Sequence, residues 1–178
     1  MALNRGMRGN AYANKMRAEL DELKGKGVIT VGNAFSSVMF VKGEEGPAER
    51  AGGELLSGVD GKALRAALIK LGYAPEDWVA VAANVSSDVF RQAIAALDPS
   101  TLVACDETAA GAIRDAFAND LCALAVLEDA LLLPGRVVQV AGMRMLNLGG
   151  FEAALASDTK KQLMWAYLKQ IPPLGEPY

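Results

Sequence analysis

The 178-residue chain is 52% apolar and 22% charged, carries a formal net charge of −3 and contains no histidine. Those proportions describe a globular protein, and the missing histidine excludes a Ser-His-Asp triad along with the commonest general base and metal ligand. Six of the 18 basic residues fall within the first 26 positions, so the remainder is acidic and lacks an obvious footprint for nucleic-acid phosphates.

In chain order, residues 1–27 read as a basic N-terminal helix with Tyr12, Met16, Leu20 and Leu23 as its apolar stripe, stopped by Gly25. Ser37–Val41 is the first of four short, valine-rich segments that read as buried parallel strands; the others are Trp78–Asn84, Thr101–Cys105 and Arg136–Ala141. Helices lie between them. Asp60 is expected to cap one carrying Leu64, Leu68 and Leu71, closed by Gly72. Ser86 or Ser87 caps Val89–Leu97, Asp106 caps Thr108–Phe117, and Ser157 caps a last helix ended by Pro172-Pro173. Strands alternating with helices predict βαβ units and a right-handed, doubly wound sheet, with one domain over residues 1–178. The N-terminus lacks a signal-peptide core, and the apolar stretch Leu121–Leu133 is too short to span a bilayer, so a cytoplasmic protein is expected. Cys105 and Cys122 lie in apolar runs and read as buried free thiols of a reducing compartment.

Ligands of open parallel sheets bind beyond the carboxyl ends of the strands. That selects the loops Lys42–Glu49, Asn84–Asp88, Cys105–Thr108 and Gly142–Gly150. In the first, Gly43 lets backbone approach a ligand, while Glu44 and Glu45 are the candidate catalytic carboxylates, able to polarise a water. Its spacing is neither GxGxxG nor a Walker A loop, and the segment reads equally as a solvated turn. Asn84 offers a donor and an acceptor side by side, suited to the edge of a nucleobase or an amide; it also fits a strand-ending Asx turn. Cys105, with acids beside it and no histidine to pair with, reads as a packing residue. Arg144 is the positive side chain expected near the pocket mouth, meeting either an anion or solvent. Neither cysteine has partners at metal-ligand spacing, and no metal or cofactor is predicted.

Taken in order, several segments resemble the uracil-DNA glycosylase superfamily, most closely its iron–sulfur-bearing bacterial branch. They are Val28–Asn33 leading into Ser37–Val41, Gly43-Glu44-Glu45-Gly46-Pro47, Arg50–Leu56, Leu68–Tyr73, Trp78–Val85 with its terminal Asn-Val, Pro99–Cys105 with Thr108-Ala109-Ala110, and Lys160–Leu168 with its tryptophan. The resemblance covers roughly residues 28–170. It implies a three-layer α/β/α sandwich around a central four-stranded parallel sheet, with a base pocket at the strand ends. Family members hydrolyse the N-glycosidic bond of a uracil flipped out of DNA. Carried over, Glu44 or Glu45 takes the water-positioning place and Asn84 the base-reading place.

The departures fall on the chemistry. The family's histidine aligns with Gly142-Met143-Arg144, the stacking aromatic is absent from Pro47-Ala48-Glu49, and the four cluster cysteines are not matched. Losing one preorganised donor of that kind costs about 10²–10³ in rate. The expectation is a glycosylase-like domain without uracil-excising activity that binds a nucleobase-like small molecule or a protein partner; DNA is a weaker candidate and a membrane is not expected. The alternative is a diverged glycosylase using Glu44 or Glu45, Asn84 and Arg144. A purely structural role is the third reading, favoured if Met143, Met145 and Leu146 fill the strand-end crevice.

Overall fold

A computed structural model describes residues 3–172, with side chains from Asn14 onward. The fold is α/β: a six-stranded, mixed but mostly parallel sheet flanked by helices. The strands are β1 (Thr30–Gly32), β2 (Val38–Lys42), β3 (Val79–Ala82), β4 (Thr101–Ala104), β5 (Val137–Val140) and β6 (Met143–Asn147), ordered β1-β3-β2-β4-β6-β5 across the sheet. The central strands β3, β2, β4 and β6 are parallel, and the two edges, β1 and β5, are antiparallel.

Strand alternation splits the core into two layers. Met39, Val41, Val79, Val81, Leu102, Ala104 and Met145 face one side. There they meet α1 (Leu3–Gly25), α4 (Ser87–Leu97) and α5 (Glu107–Ala116) through Leu23, Phe90, Ile94 and Ile113. Val38, Phe40, Ala80, Val103 and Leu146 face the other. They pack on α3 (Val59–Lys70), α8 (Phe151–Ala154) and α9 (Asp158–Leu168) through Leu64, Leu68, Phe151, Met164 and Leu168. The remaining helices are α2 (Pro47–Arg50), α6 (Ala118–Cys122) and α7 (Leu127–Ala130). On α1, Met16 and Leu23 are buried as the stripe predicts and Leu20 packs beside them; the Tyr12 side chain and Pro173 lie outside the described residues. No helix among the described residues is long and apolar enough to cross a membrane.

Three of the four predicted parallel strands form as such; the fourth does not. Val137–Val140 is the antiparallel edge, joined by a two-residue turn to β6, which supplies the fourth parallel strand. Both turn residues are left-handed, Ala141 at φ 51° and Gly142 at φ 80°, as a type I′ hairpin turn requires. Thr101 pairs with Arg144 and Ala104 with Asn147, so Arg144 stands at the end of the sheet opposite the carboxyl ends of the parallel strands. It is not at a pocket mouth, and its guanidinium donates to the Gln170 carbonyl at 3.4 Å. Cys105 is buried as expected, whereas Cys122 is exposed, because α6 is a single surface turn whose buried residue is Leu121.

The caps follow the sequence at two helices. Ser86 accepts from the Val89 N–H and Asp106 from the Ala109 N–H. Asp60 is not a cap: the N-cap is Gly58, two residues earlier, and the Asp60 side chain turns inward.

Candidate functional site

Register aligns Lys42 with Ala82, Val41 with Ala104, and Ala104 with Asn147, so the parallel strands finish along one rim. Two cavities open there. The larger, about 480 Å³, lies beyond β2 and β3 against β1. Its apolar wall is Ile29, Val31, Leu55 and Ala82, and its polar lining includes Lys42, Glu44, Glu45, Glu49, Glu54 and Asn84. The smaller, about 50 Å³, lies between β2 and β4, where the chain leaves the two strands toward opposite faces of the sheet. That is room for roughly one water. Met143, Met145 and Leu146 line neither cavity; Met145 and Leu146 belong to the core.

Lys42 lines both spaces and is 4% exposed. Alternation puts it on the Phe40 face, under α2, α3 and α8. Its ammonium donates to Glu49 at 2.7 Å, to Asp60, and to Glu152 at 3.5 Å. Glu49 in turn accepts from the Leu56 N–H at 2.9 Å through the same oxygen and from the Gly46 N–H at 2.9 Å through the other. One buried cation thus ties the strand end to three segments of chain, 43–56, α3 and α8. An ammonium has three donors, and all three point at carboxylates.

Burial opposes the Lys42 charge, but hydrogen bonds to Asp60 and Glu49 outweigh it and raise the pKa well above the ordinary lysine value. A lysine held protonated in this way is neither a nucleophile nor a base. Burial also opposes the Glu49 charge, yet the Lys42 ammonium and the Leu56 N–H hold its pKa below the usual carboxylate range. Burial, with the neighbouring Asp106 and Asp60 charges, pushes the Cys105 thiol well up, so it is not a thiolate at neutral pH.

The Lys42 and Glu49 shifts set the pH dependence of stability. The Glu49 contribution is present above the usual carboxylate range and is lost as pH falls through its depressed folded value; the Lys42 contribution persists through mildly alkaline pH and is lost only as pH rises through its elevated one. Urea unfolding of Glu49→Gln is expected to show a shallower loss of stability below pH 5 than the unsubstituted chain.

The loop after β2 is held from the other side by Asp106. One carboxylate oxygen accepts from the Gly43 N–H at 3.0 Å and the Glu44 N–H at 3.1 Å; the other caps α5 through the Ala109 N–H at 2.8 Å. Thr108 adds a bond to the Glu44 carboxylate at 3.3 Å. Gly43 is required there: a Cβ would lie 2.6 Å from the Ala109 nitrogen and 2.6 Å from the Thr108 Cβ. Gly43→Ala is expected to cost about 1–3 kcal/mol, read from a urea melt, because the obstruction is partly backbone.

Gly43, Glu44, Glu45 and Asn84 therefore share one cavity, as their place at the strand ends predicts, and Arg144 does not. Lys42, Glu49, Asp60 and Glu152 were not singled out as site residues from the sequence. The available signal was a lysine ending an otherwise apolar strand, Val38–Val41, where a charge must find partners. Among the described residues no group of three histidine, cysteine, aspartate or glutamate side chains is gathered as a metal ion would need; the carboxylates around Lys42 surround its ammonium. No known protein family and no curated protein matches the chain.

Proposed function

We propose that this is a uracil-DNA glycosylase-like domain that binds a nucleobase-like small molecule at the ends of its parallel strands and does not excise uracil from DNA. The observation that carries the reading is the larger cavity: at about 480 Å³ it falls among small-molecule sites, and its lining combines apolar walls for a flat ring with Asn84 for a polar edge. Its lining lysine is already committed to three carboxylates. Glu44, Glu45 and Glu54 add further negative charge at exposed positions, which repels a phosphodiester strand. After the fourth parallel strand come Leu148-Gly149-Gly150-Phe151, which carry no ionisable side chain to stabilise a departing anionic base.

A diverged glycosylase is the second reading. It is favoured by Glu44, whose backbone and carboxylate are both tethered beside the cavity, but it has no use for Arg144, which lies at the far end of the sheet.

A thermal-shift screen of free bases and nucleosides is expected to find stabilising ligands. Asn84→Ala should abolish the shift and Arg144→Ala should leave it unchanged. Single- and double-stranded DNA containing uracil should release no base. Release above that of the Glu44→Gln/Glu45→Gln double variant would establish the diverged glycosylase instead.

A further inference from the structure

We infer that the cavity selects a ligand by the hydrogen-bond donors it presents, and that it takes an aminated base or nucleoside, of the cytosine or adenine kind, in preference to a dicarbonyl pyrimidine. The inference rests on the reading of the cavity as a base-sized pocket and names the chemistry that pocket recognises.

Donor and acceptor bookkeeping carries it. A uracil-type edge presents two carbonyls on either side of one N–H, so two of its three hydrogen bonds need donors from the protein. The side-chain cation and three of the backbone donors at this cavity are already engaged, which leaves the Glu45, Glu54, Leu55 and Asn84 N–H groups and the Asn84 carboxamide to meet a carbonyl. The Lys42 ammonium gives all of its hydrogens to Glu49, Asp60 and Glu152. The Gly43 and Glu44 N–H groups go to Asp106, and the Gly53 N–H goes to the Ala48 carbonyl. Acceptors are in surplus. The Glu45 and Glu54 carboxylates make no hydrogen bond or ion pair among the described residues, and the Glu44 carboxylate meets only Thr108, through one oxygen. Asn84 can turn either end of its carboxamide inward and so complements either edge. An exocyclic amine or a protonated ring nitrogen finds charge-assisted partners here, which are about twice as strong as neutral ones. A carbonyl edge set against carboxylates is repelled. Ile29 is 49% exposed and lines the same space, giving the ring apolar surface to cover. The carboxylates also disfavour a phosphate on the ligand, so the free base or nucleoside is preferred to its nucleotide.

Isothermal titration with cytidine, adenosine, uridine and cytidine 5′-monophosphate tests this. Cytidine or adenosine should bind at least about tenfold more tightly than uridine, a discrimination a polar site readily reaches, and the monophosphate should bind more weakly than cytidine. Glu45→Gln/Glu54→Gln alters two exposed side chains and should narrow the preference. If uridine binds as well as cytidine, or better, the inference fails while the base pocket stands. If no nucleoside binds, both fall. An undiminished preference in the Glu45→Gln/Glu54→Gln variant would overturn the assignment to those carboxylates.

Discussion

Lys42→Met is expected to lower folding stability by about 3–5 kcal/mol, the loss typical of removing one partner from a buried ion pair. The side chains of Lys42, Glu49 and Asp60 are 4%, 6% and 3% exposed, so both carboxylates start out largely desolvated when the ammonium goes. Methionine retains the volume, which confines the effect to the lost charge. Much of that cost is the penalty for leaving two carboxylates buried and unpaired. Adding Glu49→Gln and Asp60→Asn to Lys42→Met should therefore restore a large part of the lost stability. Urea unfolding of the single and triple variants measures both quantities. A single-variant loss of less than about 1 kcal/mol would place the cluster with surface ion pairs in strength and would contradict a buried strut. The same variant should lose ligand binding, because Lys42 anchors the Glu49 wall of the larger cavity.

Asp106→Ala should cost about 2–4 kcal/mol, combining a lost N-cap with two backbone donors left unmatched. The residue is 7% exposed, and its carboxylate is shared between the Ala109 N–H and the Gly43 and Glu44 N–H groups. Asparagine supplies one acceptor oxygen where two are used, so Asp106→Asn should fall between the parent and the alanine variant. Amide hydrogen exchange separates the two roles. Loss of protection at Gly43 and Glu44 as well as at Ala109 is the expected pattern; loss at Ala109 alone would reduce Asp106 to an ordinary cap.

Much of the scaffold was legible. Ser37–Val41, Trp78–Asn84 and Thr101–Cys105 are valine-rich runs between helical patterns, and a strand buried on both faces requires such composition. Gly43, Glu44, Glu45 and Asn84 come to line one cavity because strand ends in a parallel sheet converge on one rim, whichever family the chain comes from. The hairpin was missed. Arg136–Ala141 and Met143–Leu148 are two apolar runs separated by Gly142. A turn there makes the first run an antiparallel edge, and the second run, β6, becomes the parallel neighbour of β4. Arg144, near the start of β6, is thereby carried to the far end of the sheet.

The sequence by itself determined the α/β class, three of the four parallel strands and the strand-end loops that line the two cavities, because these depend on hydrophobic period and turn chemistry within short windows. The tertiary structure alone decided the electrostatics of the site. Asp60 lies 18 residues from Lys42 and Glu152 lies 110 away, and no local pattern reports a pairing at such separation. Their convergence turns the lysine at the strand end from a potential anion-binding group into an internal strut. The polar wall of the larger cavity is then rich in carboxylates, and the Lys42 ammonium, already neutralised in the interior, has no donor left to offer there.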